Sequence, residues 1–104
     1  MAHVEGVDSV ASGDYAHAEG AATTASGQMS HSEGNSTQAS GYYSHAEGVG
    51  TIASGQGSHA EGHSTRAVGN YSHAEGSSTT AGYMAHAEGA GSIASGQGSH
   101  AEGQ

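Results

Sequence analysis

A histidine and a glutamate two residues apart, followed at once by glycine, recur along this chain as H-x-E-G. The motif starts at His3, His17, His31, His45, His59, His73, His86 and His100, in steps of 14, 14, 14, 14, 14, 13 and 14 residues. Its carboxylates are Glu5, Glu19, Glu33, Glu47, Glu61, Glu75, Glu88 and Glu102. Imidazole and carboxylate are both competent ligands for a divalent metal. They also form a hydrogen-bonding pair, and imidazole changes charge between roughly pH 5 and 8. Chelation, a structural ladder and a pH response are therefore the chemistries open to these residues. Repetition favours the ladder. The chain has no Cys, and no further Asp or Glu supplies a third ligand beside each pair, so neither a metal site nor a cofactor is expected. No catalytic residue is expected either, because no Ser or His is singled out by a local break in the pattern. His63 lies outside the ladder, in a linking position predicted to face solvent.

The elements that must position these pairs follow from a second motif halfway between them. A-x-G stands at Ala11–Gly13, Ala25–Gly27, Ala39–Gly41, Ala53–Gly55, Ala67–Gly69 and Ala94–Gly96, and a shortened Ala81-Gly82 accounts for the step of 13. The unit is S-H-A-E-G-x-x followed by T-x-A-S-G-x-x. Each half alternates small and larger residues over five positions, as suits a short strand whose side chains point to opposite faces. Glycine closes every half, at Gly6, Gly13, Gly20, Gly27, Gly34, Gly41, Gly48, Gly55, Gly62, Gly69, Gly76, Gly82, Gly89, Gly96 and Gly103. These are read as turn glycines, needed for positive φ or for close packing. One unit then makes a flattened coil of two short strands. Stacked coils make two parallel sheets rising about 4.8 Å per step, so about seven coils give a rod roughly 34 Å long. Residues 1–104 are read as a single repeat domain excised from a longer fibrous protein.

A coil this small has room inside for small side chains only. The Ser/Thr, Ala and Gly columns are placed inside, with His, Glu and the variable positions outside. The chain has no Leu, Phe, Trp or Pro, and its large side chains are five Tyr, three Met, two Ile and five Val. An ordinary globular core is out of reach, and an interior of Ala and Ser stabilises weakly. Other chains must cover part of the outside. The variable position of the second strand reads Val10, Thr24, Gln38, Ile52, Arg66, Thr80 and Ile93, a scatter that suits solvent. The invariant His/Glu face is therefore placed at a subunit interface, where a neighbouring chain's His would supply each Glu with a donor.

The formal net charge is −9, with Arg66 the sole Lys or Arg. That opposes binding to nucleic acid phosphates and to anionic lipid. No apolar run is long enough to span a bilayer, and no signal peptide opens the chain. Tyr15, Met29, Tyr43, Tyr71 and Met84 share one linking column, with Gly57 and Gly98 completing it. This edge is read first as packing between subunits and second as a ligand stripe. The Thr column faces inward and so does not suit ice binding. The calcium-binding nonapeptide repeat is excluded by the scarcity of Asp, and no phosphate loop is present.

The fourteen-residue coil with A-x-G in each half resembles the YadA-like head repeat of trimeric autotransporter adhesins. Similar S-H-A-E-G runs occur in phage and prophage tail proteins. The resemblance covers essentially the whole chain. It departs at the variable positions, where His and Glu stand in S-H-A-E-G against the Val and Ile of S-V-A-I-G. It implies an all-β, left-handed parallel β-roll with three chains packed around a threefold axis. It further implies a non-catalytic head or shaft of a surface adhesin or phage tail-fibre-like protein, extracellular or on a virion. Contact with a host matrix protein or surface glycan would follow. The alternative from the residues is a metal- or pH-responsive trimeric assembly lined by His and Glu.

Overall fold

The computed structural model describes residues 2–103. Strands starting at the ladder histidines form one sheet: β1 (His3–Val7), β3 (His17–Ala21), β5 (His31–Asn35), β7 (His45–Val49), β9 (His59–His63), β11 (His73–Ser77), β13 (His86–Ala90) and β15 (His100–Ala101). Between them run two-residue strands: β2 (Val10–Ala11), β4 (Thr24–Ala25), β6 (Gln38–Ala39), β8 (Ile52–Ala53), β10 (Arg66–Ala67), β12 (Thr80–Ala81) and β14 (Ile93–Ala94). The first set forms an eight-stranded parallel sheet in chain order, and the second a seven-stranded one. The chain is thus an all-β parallel solenoid of about seven coils, 36 Å along its longest axis and 9 Å along its shortest. The second strand of each coil is shorter than the five residues its alternation predicts.

Register is fixed by identity. His45 pairs with His31 and His59, and Glu47 with Glu33 and Glu61. The interior holds small side chains only. Ala18, Ala25, Ala39, Ala46, Ala53, Ala60, Ala67 and Ala74 are fully buried, as are Thr23, Thr37, Thr51, Thr65 and Thr79. The buried hydroxyls are satisfied locally, as burial of a polar group demands. Ser44 and Ser58 Oγ donate to the Gly41 and Gly55 carbonyls, each at 2.7 Å, and so brace the turn that each follows. Thr51 and Thr65 Oγ1 donate across the coil to the Glu47 and Glu61 carbonyls at 3.1 and 3.0 Å. Where Ser32 replaces the usual Ala, Thr37 Oγ1 instead lies 2.6 Å from the Ser32 hydroxyl.

The glycines divide into two kinds, which corrects their common reading as inward turn residues. Those of A-x-G open a turn: Ala16 N–H donates to the Gly13 carbonyl at 3.1 Å, and Ser30 N–H to that of Gly27 at 3.2 Å. Those following Glu lie inside the long strands at φ +105 to +116 in Gly20, Gly34, Gly48, Gly62, Gly76 and Gly89. They face the surface, and Gly20, Gly34, Gly62 and Gly76 are exposed. What the two kinds share is coil-to-coil approach. A Cβ on Gly48 would sit 2.1 Å from the Gly62 carbonyl oxygen, and one on Gly41 the same distance from that of Gly55.

The shortened unit leaves both sheets in register, with His73 opposite His86 and Thr80 opposite Ile93. The missing residue is absorbed in the turn. Gly82 N–H donates to the Ala94 carbonyl at 2.8 Å, the bond that Ser54 makes to Ala67 in a full-length coil.

Candidate functional site

Because each long strand is paired in register, its outward side chains stack on those of the coils above and below. Histidine ring centroids are 4.7–4.8 Å apart from His17 to His100, with interplanar angles of 1–9°. Only the terminal His3–His17 pair is tilted, by 55°. A parallel column of carboxylates runs beside the rings. His45 Nε2 lies 3.7 Å from Glu47 Oε2 of its own coil and 3.8 Å from Glu33 Oε1 of the preceding one. His31 sits likewise between Glu33 and Glu19, His59 between Glu61 and Glu47, and His86 between Glu88 and Glu75. These separations exceed a good charge-assisted hydrogen bond.

Imidazoles of the same chain thus stand beside the carboxylates, at 3.7–3.9 Å around His31, His45 and His59. None of these contacts is a hydrogen bond, so the donor expected from a neighbouring chain is not replaced from within this one. The His31, His45 and His59 side chains are about one-third exposed, at 35%. Their Nε2 atoms are nevertheless shut off from solvent and lack a hydrogen-bond partner, as are those of His17, His73 and His86. Burial pushes the His45 pKa below 6.5, with His31 adding to the effect and Glu33 opposing it. His59 is lowered by burial and then by His45, against Glu61 and Glu75. Glu33 is lowered from 4.5, chiefly by the neighbouring Glu47 and Glu19 carboxyls in the same column and then by His31 and His45, against the opposing effect of burial. An open groove runs beside the column where Gly62, Gly76 and Gly89 alternate with Glu61, Glu75 and Glu88.

The other predicted residues lie elsewhere. His63 is exposed in a different column, at the end of β9. Tyr15, Met29, Tyr43, Tyr71 and Met84 follow the A-x-G turns and are 45–67% exposed. All five adopt left-handed backbone, at φ 52–61. The sequence reading missed a matching left-handed column on the other edge, at Asp8, Ala22, Ser36, Ser64 and Ser78. Gly50 and Gly91 complete that column at φ 65 and 71, and their recurrence there with small or polar residues was the available signal.

Two parallel sheets, a small-residue interior and one coil per fourteen-residue repeat define a structural β-solenoid. The family model described as YadA head domain repeat (2 copies) matches residues 5–30, 46–72 and 82–104, and the chain belongs to that family. Heads of this family are structural parts of surface-exposed adhesins that self-associate. No curated protein matches the chain.

Proposed function

We propose that the chain is a non-catalytic segment of a homotrimeric, left-handed β-roll that serves as a rigid head or shaft on a cell surface or virion. One observation carries the reading: the solenoid buries Ala, Ser and Thr, while its larger apolar side chains sit outside. Tyr15, Tyr42, Tyr43, Tyr71, Val7 and Ile93 are all more than half exposed. A chain stabilised by so little apolar burial gains most by packing against copies of itself. Self-packing is also the family's habit. The ladder face and the Tyr/Met edge are the surfaces assigned to that packing, since the glycine groove beside the carboxylates admits a close neighbour. The second sheet, with Thr24, Gln38 and Arg66, then faces outward, where a host matrix protein or surface glycan would be met. Light scattering behind a sizing column, at neutral pH with EDTA, tests the assembly. A mass near three times 10.1 kDa is expected; a compact monomer would reject the trimer.

A further inference from the structure

We propose that the ladder binds divalent transition-metal ions of the zinc class. Each ion is held by one glutamate and the two histidines stacked nearest it in adjacent coils. The His17–Glu19–His31, His31–Glu33–His45 and His73–Glu75–His86 triads each bring three ligand atoms within 4.8 Å of one another. Within the first, Nε2 to carboxylate separations are 3.9 and 3.7 Å. That is too long for a hydrogen bond and slightly wider than the ~3.4 Å between ligands of a tetrahedral ion bonded at about 2.0–2.1 Å. The carboxylate has to move by about half an ångström, and the two rings have to tip towards each other. Both are torsional adjustments of side chains one-third exposed.

Two further observations point to a cation. The inner ladder nitrogens, those of His17, His31, His45, His59, His73 and His86, are buried without a partner. Such a nitrogen needs an acceptor when it carries the ring proton and a proton or a metal when it does not. The carboxylate column also has no Lys or Arg beside it, since Arg66 belongs to the opposite sheet. One dication between a carboxylate and two imidazoles satisfies both deficits. Nitrogen and oxygen donors without sulfur suit Zn²⁺, Ni²⁺ and Cu²⁺, whereas Mg²⁺ and Ca²⁺ prefer all-oxygen sites. Two His and one Glu leave a fourth position for water.

The ladder also limits stoichiometry. Neighbouring triads share a histidine, and one Nε2 serves one ion. Eight ladder histidines therefore hold at most four ions per chain, so filled sites alternate along the rod. The trimer is not required, because all three protein ligands come from one chain.

Calorimetric titration of the EDTA-stripped chain with ZnCl₂ at about pH 7.5, with MgCl₂ as control, tests this. Zinc is expected to saturate at two to four ions per chain, with no magnesium binding. Replacing Glu5, Glu19, Glu33, Glu47, Glu61, Glu75 and Glu88 together by Gln should weaken zinc binding about tenfold or more. No zinc binding below millimolar, saturation at more than four ions, or unchanged binding by the Gln variant would overturn the proposal. Should that variant fail to fold, CoCl₂ added to the unaltered chain decides. Intense visible bands of four-coordinate cobalt support the site, and the weak spectrum of the hexaaqua ion rejects it. Chain mass in EDTA is measured separately, so failure of the metal site and failure of the trimer are distinguishable.

Discussion

Gly48 and Gly91 both hold positive φ, at +111 and +71, yet they are constrained by different things. A Cβ on Gly48 would strike the Gly62 carbonyl oxygen of the next coil, whereas nothing lies within 4 Å of one on Gly91. The column containing Gly91 already carries Ala22 and Ser64 at φ 57. Gly91→Ala should therefore cost only about 1 kcal/mol, the usual penalty for a left-handed L-residue. Gly48→Ala adds a backbone collision between coils and should cost more than about 3 kcal/mol. Urea unfolding followed by circular dichroism separates the two, and equal midpoints would mean that the coils are not in close contact. The sequence pointed to the need for glycine at both motif positions. It did not distinguish the strand glycines from the turn glycines, because spacing records recurrence and not φ. The in-strand conformation at Gly48 becomes visible only once the next coil's carbonyl is in place.

At the scale of the strand, alternation told which side chains share a face, and the burial of Ala46, Thr51 and Ala53 follows it. Alternation could not tell that His45 meets Glu33 of the preceding coil as closely as Glu47 of its own. That depends on stacking angle, which no linear pattern carries. The consequence is a definite response to acid in the metal-free protein. His45 stacks on His31 and His59 beside Glu33 and Glu47, and His59 stacks on His45 and His73 beside Glu47 and Glu61. Glu61 acts on His45, and Glu75 on His59, from further off. Burial outweighs those carboxylates and lowers both histidine pKa values, so protonation is harder in the folded chain than in the unfolded one. Their contribution is complete above the ordinary value of 6.5 and is lost as pH falls below it. Glu33, also lowered, takes away more below 4.5. In EDTA, urea midpoints should thus fall from pH 7.5 to 5.5, and a rise would show that ion pairing outweighs burial. Replacing Glu47 and Glu61 by Ala tests the face itself. If that face is shared between subunits, the trimer should weaken, because two side chains of the packed face are truncated. Thr24→Ala and Gln38→Ala, on the other sheet, should leave it intact. The reverse pattern would place the interface on the second sheet.

For the whole molecule, the question is why bulky residues occupy turn positions that glycine fills without strain. Gly57 and Gly98 stand in the same column as Tyr43 and Tyr71, so the turn itself does not call for a ring. Tyr43 and Tyr71 each carry a left-handed backbone penalty of about 1–2 kcal/mol, and in the single chain they remain 56–58% exposed. Such a cost is offset when the ring is covered by something outside the chain, and self-packing is the reading that the small-residue core favours. Tyr43→Asn with Tyr71→Asn removes both rings but keeps a residue type tolerant of positive φ. Far-ultraviolet circular dichroism should therefore be unchanged. Trimer dissociation, followed by light scattering on dilution, should shift to higher concentration by about tenfold for each ring lost, the effect of an interface residue worth about 1.4 kcal/mol. A trimer that is unchanged while binding to a matrix-protein or glycan array disappears would instead make the edge the adhesive surface. In that case subunit packing would rest on the ladder face alone, and the Glu47 and Glu61 variants would carry the whole loss of assembly.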